Sequence, residues 1–177
     1  MCKFASFVLT KSEEFWSDKS DSHEDIIQEH NLHADGIRGP NILRVEISPT
    51  NKITVWPSLK AWEYRVDQDR MPEWFDAEEC EKRTRAALQR RYEKGFTTVD
   101  VSGCTALTEL KADKATYVYA RGCTALTELK ADKATYVYAN DCTALTELKA
   151  DQATYVYASG CKSTLKITAR KDTRIYR

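Results

Sequence analysis

CTALTELKADKATYVYA occupies residues 104–120, recurs unchanged at 123–139, and returns at 142–158 with Gln152 where Lys114 and Lys133 stand. The period is 19 residues, marked by Cys104, Cys123, Cys142 and Cys161. A fixed period of this length is the signature of a solenoid, in which each coil buries its apolar face only by stacking on the next. Within one copy, Leu107-Thr108-Glu109-Leu110-Lys111-Ala112 and Ala115-Thr116-Tyr117-Val118-Tyr119-Ala120 share the pattern apolar-Thr-x-apolar-x-Ala. Each coil therefore has two strand-like sides, joined by turns at Asp113-Lys114 and Arg121-Gly122. Leu107, Leu110, Ala112, Ala115, Val118 and Ala120 face inward and form columns with their copies.

Side chains of a strand alternate between its faces, so the tyrosines beside Val118 point outward. Tyr117, Tyr136 and Tyr155 make one column, and Tyr119, Tyr138 and Tyr157 make a second. Together they form an aromatic surface of roughly several hundred Å², the size at which exposed patches acquire meaning. Tyrosine suits recognition, because it offers large area, few rotors and a polar tip. With the adjoining turn residues Arg121, Asn140 and Ser159, these columns are the candidate partner-binding face. Stacked tyrosines also stabilise neighbouring strands, and duplication copies a residue whether or not it binds anything. A purely structural ladder, a face covered by the N-terminal segment, and homodimerisation through the columns therefore stand beside recognition. On the opposite side Glu109, Glu128 and Glu147 run beside Lys111, Lys130 and Lys149, so repulsion within each column is offset by its neighbour. Threonine columns headed by Thr105, Thr108 and Thr116 could form an ice-binding array, but the adjacent charges argue against it.

The succession Ala115-x-x-Val118-x-Ala120-x-x-Cys123-x-Ala125-Leu126-x-x-Leu129-x-Ala131 resembles the leucine-rich repeat, whose strand carries inward apolar residues at its first, fourth and sixth positions and an Asn or Cys three residues on. The resemblance covers about 96–161, beginning with Phe96 to Cys104 as a first coil, and SGCTALTEL is similar to the short Cys-bearing modules of bacterial and phage proteins. Alanine stands at several inward sites, which implies a narrow coil with a second strand, rather than a helix, on the convex side. Open solenoid ends need caps. A helix over 76–94, with Asp76 as N-cap, acids in its first turn, Arg90, Arg91 and Lys94 in its last turns and Gly95 as its stop, is placed to supply one. The basic segment 162–177, with Leu165, Ile167 and Ala169 alternating as a last strand, supplies the other.

Residues 1–75 carry no repeat and read as a small α+β head in the order β-α-β-β-α, the last helix being 76–95. Lys3 to Thr10 is a strand. Ser22 caps a helix from His23 to about Asn31, with Ile26 and Ile27 toward the core. Ile42 to Ser48 and Ala61 to Asp67 alternate as antiparallel strands. All four tryptophans, Trp16, Trp56, Trp62 and Trp74, fall here, large side chains for a modest core. His23, His30 and His33 lie among Asp21, Glu29 and Asp35 and are weak metal-ligand candidates. A third converging ligand is required, for which Glu46 and Asp67 are the available guesses. The segment, through KFASFVLT, DSHEDII and the pair YRVDQD and PEWFD, is similar to small uncharacterised proteins of phages and prophages.

The 27 basic and 27 acidic residues cancel, which disfavours nucleic acid as a partner and a DNA-mimic role alike. Charge is uneven: Glu13 to Asp35 holds eight acids against Lys19, and Lys162 to Arg177 holds six bases against Asp172. This uneven charge would serve solvated ends, mutual docking of the two, or a phosphate-facing tail. No apolar run spans a bilayer and the N-terminus lacks a secretory pattern, so a cytoplasmic protein with its cysteines as buried thiols is expected. There is no Gly-rich phosphate loop, nucleophile elbow or HExxH, and no cofactor is expected. The reading is an α+β head (1–75), a capping helix (76–95), a leucine-rich-repeat-like β-solenoid of about four coils (96–161) and a basic cap (162–177). Its expected function is non-catalytic protein binding through the tyrosine face, which the phage resemblance would direct against a host protein, including a defence system. The alternatives are a ligand- or metal-dependent enzyme site in the head, with the solenoid as scaffold, and a homodimer.

Overall fold

A computed structural model describes residues 5–36, 39–50 and 52–177; Lys3 and Phe4 of the first expected strand lie outside the described residues. Two compact units emerge, Met1–Ser48 with Trp62–Lys94, and Pro49–Ala61 with Gly95–Arg177.

The first unit is a small α+β fold. Strands β1 (Ser6–Leu9), β2 (Glu14–Phe15), β5 (Leu43–Ser48) and β6 (Glu63–Val66) form a sheet in the order β2-β1-β5-β6. All its pairings are antiparallel, with Val8 opposite Phe15, Ser6 opposite Glu46 and Val45 opposite Val66. Helix α1 (His23–Glu29) starts at Ser22, whose hydroxyl accepts from the Asp25 amide, and buries Ile26 against Val8 and Ile42. A two-residue hairpin, β3 (Asp35–Gly36) with β4 (Gly39–Pro40), follows it. The short β2 and this hairpin are additions to the expected β-α-β-β-α order. Two-residue pairings carry no periodicity that a sequence could display.

Helix α2 (Ala77–Lys94) is capped by Asp76, whose carboxylate accepts from the Glu79 amide at 2.8 Å, and ends at Gly95 with φ +107°. Its bases take up the acidic N-terminal segment. Arg83 donates to Glu14 at 2.6 Å and to the carbonyls of Thr10, Lys11 and Glu13, and Arg90 meets the other Glu14 oxygen at 2.7 Å. Arg91 is buried over the Phe7 ring, donates to the Ser17 carbonyl and lies 2.9 Å from Asp21, while Lys94 pairs with Asp18. The counter-charges of Glu14, Asp18 and Asp21 therefore sit on α2. Arg83→Ala is expected to cost the chain about 2 kcal/mol, since it removes one of the two arginines holding a mostly buried carboxylate and a donor shared by three carbonyls. A urea midpoint unchanged from the parent would contradict this.

The second unit is a β-solenoid of about four turns. On one side β8 (Glu109–Lys111), β10 (Glu128–Lys130), β12 (Glu147–Ala150) and β14 (Lys166–Ala169) pair in parallel. On the other side run β7 (Thr98–Asp100), β9 (Tyr117–Tyr119), β11 (Tyr136–Tyr138), β13 (Tyr155–Tyr157) and β15 (Arg174–Tyr176). Every rung sets residues 19 apart beside each other, as in Glu109 with Glu128 and Tyr117 with Tyr136. Both sides of each coil are strands. Beyond the expected last strand, β15 adds a further rung in the same register. Arg177 closes that rung, donating to the Ser163 and Leu165 carbonyls.

At the other end of this unit, the β8 edge is covered by residues 54–56. The Thr54 carbonyl accepts from the Thr108 amide at 2.8 Å and from its hydroxyl at 2.9 Å, and the Trp56 amide donates to Glu109. Pro49–Ala61, which includes the whole connection between the two expected strands, is thus part of the solenoid unit, with Ile53 and Trp56 buried. The helix expected to cap the first coil belongs to the first unit.

Stacking satisfies the polar groups of the repeat as well as its apolar ones. Thr127 and Thr146 each spend the hydroxyl on the carbonyl of the equivalent threonine one coil earlier, at 3.0 Å. The thiols of Cys123, Cys142 and Cys161 donate to the carbonyls of Val101, Ala120 and Ala139 at 3.1, 2.9 and 3.0 Å. The turn after each tyrosine strand needs a left-handed residue. Gly122 and Gly160 supply it after β9 and β13, Gly103 takes the equivalent place after β7, and Asp141 fills it after β11 at φ +60°, a conformation aspartate tolerates better than most residues. Among the described residues no helix is long and apolar enough to cross a membrane.

Candidate functional site

The inward pull of Val118, Val137 and Val156, all fully buried, turns the flanking tyrosines outward. Tyr117, Tyr136 and Tyr155 stack with ring centroids 5.3 and 5.2 Å apart and planes within 11°. Tyr119, Tyr138 and Tyr157 stack at 4.8 and 4.7 Å with planes within 6°. These spacings track the separation of hydrogen-bonded strands, about 4.7–4.9 Å: the backbone ladder sets the ring ladder. Tyr117 is exposed and the other five are half-buried by their neighbours. Burial, followed by the nearby phenols, pushes the Tyr138 and Tyr157 hydroxyls above the ordinary phenol value.

Because the rings lie face to face, their π faces are spent on one another. What meets solvent is ring edges and rows of hydroxyls, with the coil rigidly spacing them. This surface can grip a partner by shape and by hydrogen bonds.

Two members of the face were missed in the sequence. Tyr176 stacks on Tyr157 at 4.8 Å and prolongs the second column, and the Arg174 guanidinium sits 5.7 Å from the Tyr155 ring centroid, prolonging the first. Each lies one period beyond the residue it stacks on, so carrying the 19-residue register past Cys161 would have found both. Arg121, Asn140 and Ser159 stand at successive turns beside the columns. Their carbonyls accept from Gly103, Gly122 and Asp141 in the preceding coils, and the Arg121 side chain reaches to 3.8 Å from Asp141. On the other side of the coil Lys111 and Lys130 each pair with the glutamate two residues before, at 2.5 Å, and Lys149 is shared by Asp132 and Asp151. That side is an internally neutralised, solvated face.

The three histidines do not converge. His30 places Nε2 at 3.0 Å from the Trp16 carbonyl and packs against Phe15, and His33 is exposed. His23 instead meets Glu46 and Asp67, the two residues the sequence offered as guesses, with one ligand atom from each of the three within 4.8 Å of the others. Comparison of the chain with family models, with curated proteins and with solved structures finds no match.

Proposed function

We propose that the chain is a non-catalytic protein-binding module whose contact face is the tyrosine side of the solenoid. The observation that supports this reading is the pair of in-register tyrosine columns, extended by Arg174 and Tyr176. Tyrosine and arginine are enriched where protein interfaces hold most of their energy, and a rigid coil presents them with little entropy left to lose on binding. The repeat resembles the leucine-rich repeat in its inward apolar pattern. With the phage likeness of the N-terminal segment, the partner would be a host protein, a defence component among them.

The test is capture from host lysate by the intact chain and by a variant carrying Tyr117→Ser, Tyr136→Ser and Tyr155→Ser together. A partner held by the first is expected to be lost by the second, with affinity falling at least about 100-fold. Circular dichroism should remain that of the parent, because the inward columns are untouched. Undiminished capture by the triple variant would remove the face from the function. If light scattering shows a dimer that the triple variant abolishes, the partner is a second copy of this chain.

A further inference from the structure

In the first unit, α1 carries His23 onto the sheet face where Glu46 lies opposite Ser6 on one side and Arg65 on the other. The imidazole is 4 % exposed, and its Nε2 is 3.1 Å from the Val45 carbonyl, an acceptor only. Nε2 must therefore carry the hydrogen. The ring's Nδ1 is turned toward an Asp67 carboxylate oxygen 3.4 Å away. That separation fits two ligands of one cation bound at about 2.0–2.2 Å.

Glu46 supplies the third ligand atom, within 4.8 Å of the other two. A backbone carbonyl on the far imidazole nitrogen is the usual partner of a metal-ligating histidine, fixing its tautomer and aim. A second observation comes from the sheet. The Ser6 hydroxyl, directly across from Glu46 and on the same face, is fully buried with no hydrogen-bond partner among the described residues. A buried hydroxyl of this kind asks for a partner, and a metal-bound water would be one. Asp67, at 40 % exposure, leaves the cluster an opening to solvent. The competing cation is Arg65, which lies on the outer side, 2.7 Å from Glu46 Oε2 and 3.4 Å from Asp67 Oδ1.

We infer that His23, Glu46 and Asp67 form a binding site for a divalent first-row transition metal, one imidazole nitrogen and two carboxylate oxygens being its protein ligands. One imidazole with carboxylates suits zinc, manganese or cobalt in preference to calcium or magnesium. The site belongs to the first unit and the tyrosine columns to the second, so its failure and theirs are separate results.

Cobalt(II) is the probe, because its visible spectrum reports both geometry and ligand type. Titration of the full chain is expected to show one saturable site with d–d bands and no sulfur-to-cobalt charge transfer. Asp67→Asn, an isosteric change at an exposed residue, should weaken binding at least about 100-fold while leaving circular dichroism unaltered. Arg65→Gln should tighten it, by removing the competing charge. His23→Gln should abolish it, and if that variant does not fold, Asp67→Asn still decides. The inference is overturned by the absence of saturable binding, by a charge-transfer band that assigns the metal to thiols, or by unchanged affinity in Asp67→Asn.

Discussion

Leu129→Ala is expected to destabilise the solenoid by about 3–4 kcal/mol, whereas Ile175→Ala should cost less than about 1 kcal/mol. Leu129 is fully buried in the second of the three near-identical copies, in register between Leu110 on one side and Leu148 on the other. Truncation removes apolar burial and leaves a cavity. The strands above and below are locked at hydrogen-bonding distance, so they cannot move together to fill it. Ile175 lies opposite Val156 on rung β15, but it is 44 % exposed. Measured by urea unfolding, the Leu129 variant should shift the midpoint with little change in slope. Equal losses at the two positions would mean that depth along the stack does not matter. That result would defeat the nearest-neighbour view of the solenoid.

The second large effect concerns the cysteine ladder. Alkylation of Cys142 by iodoacetamide at pH 8 should run on the order of a thousandfold slower than that of a free cysteine. Burial first, and then the adjacent Cys123, pushes the Cys142 thiol up to about 12, and burial first pushes Cys123 up to about 11. The reactive thiolate is correspondingly scarce. Cys161, raised by burial but only partly covered, should label first among the four. Peptide mass spectrometry over a time course reads all of them. Labelling of Cys142 as fast as Cys161 would show that the coil opens readily. The same shifts carry a pH dependence. A thiol whose folded-state pKa is raised lends its full stability below pH 9, and that stability is lost as pH climbs through 11 and 12. The raised phenols of Tyr138 and Tyr157 act in the same direction, so the solenoid should unfold more easily in urea at pH 11 than at pH 8.

The readings that succeeded from sequence rest on local periodicity. A 19-residue copy places each residue above its counterpart, and strand alternation then separates Val118 and Ala120 from Tyr117 and Tyr119 without knowledge of any other segment. The columns of Leu110, Leu129 and Leu148, the paired tyrosine columns and the alternation of Glu and Lys on the other side follow from that rule alone. Helix ends were legible for the same reason: Ser22 and Asp76 cap through amides three residues away.

Contacts made by residues far apart in the chain were decided only in the tertiary structure. Residues 54–56 cover the β8 edge because an exposed row of amides and carbonyls takes any strand that reaches it, and nothing in Thr54-Val55-Trp56 announces that destination. Arg83 and Arg91, apparent surface bases of a helix, hold Glu14 and Asp21 some seventy residues away. The cysteines looked like small apolar fillers, and their hydrogen bonds to the preceding coil appear only once that coil is stacked beneath them. His23 was grouped in sequence with His30 and His33, its near neighbours in the chain, but α1 ends at Glu29, which leaves His30 at its C-cap and His33 beyond it. The sequence by itself determined the repeat, its inward and outward columns and its helix caps, since these depend on spacing within a few residues. The closure of the coil edge, the burial of the arginines and the meeting of His23 with Glu46 and Asp67 were decided by the tertiary structure, because each depends on where packing brings distant strands.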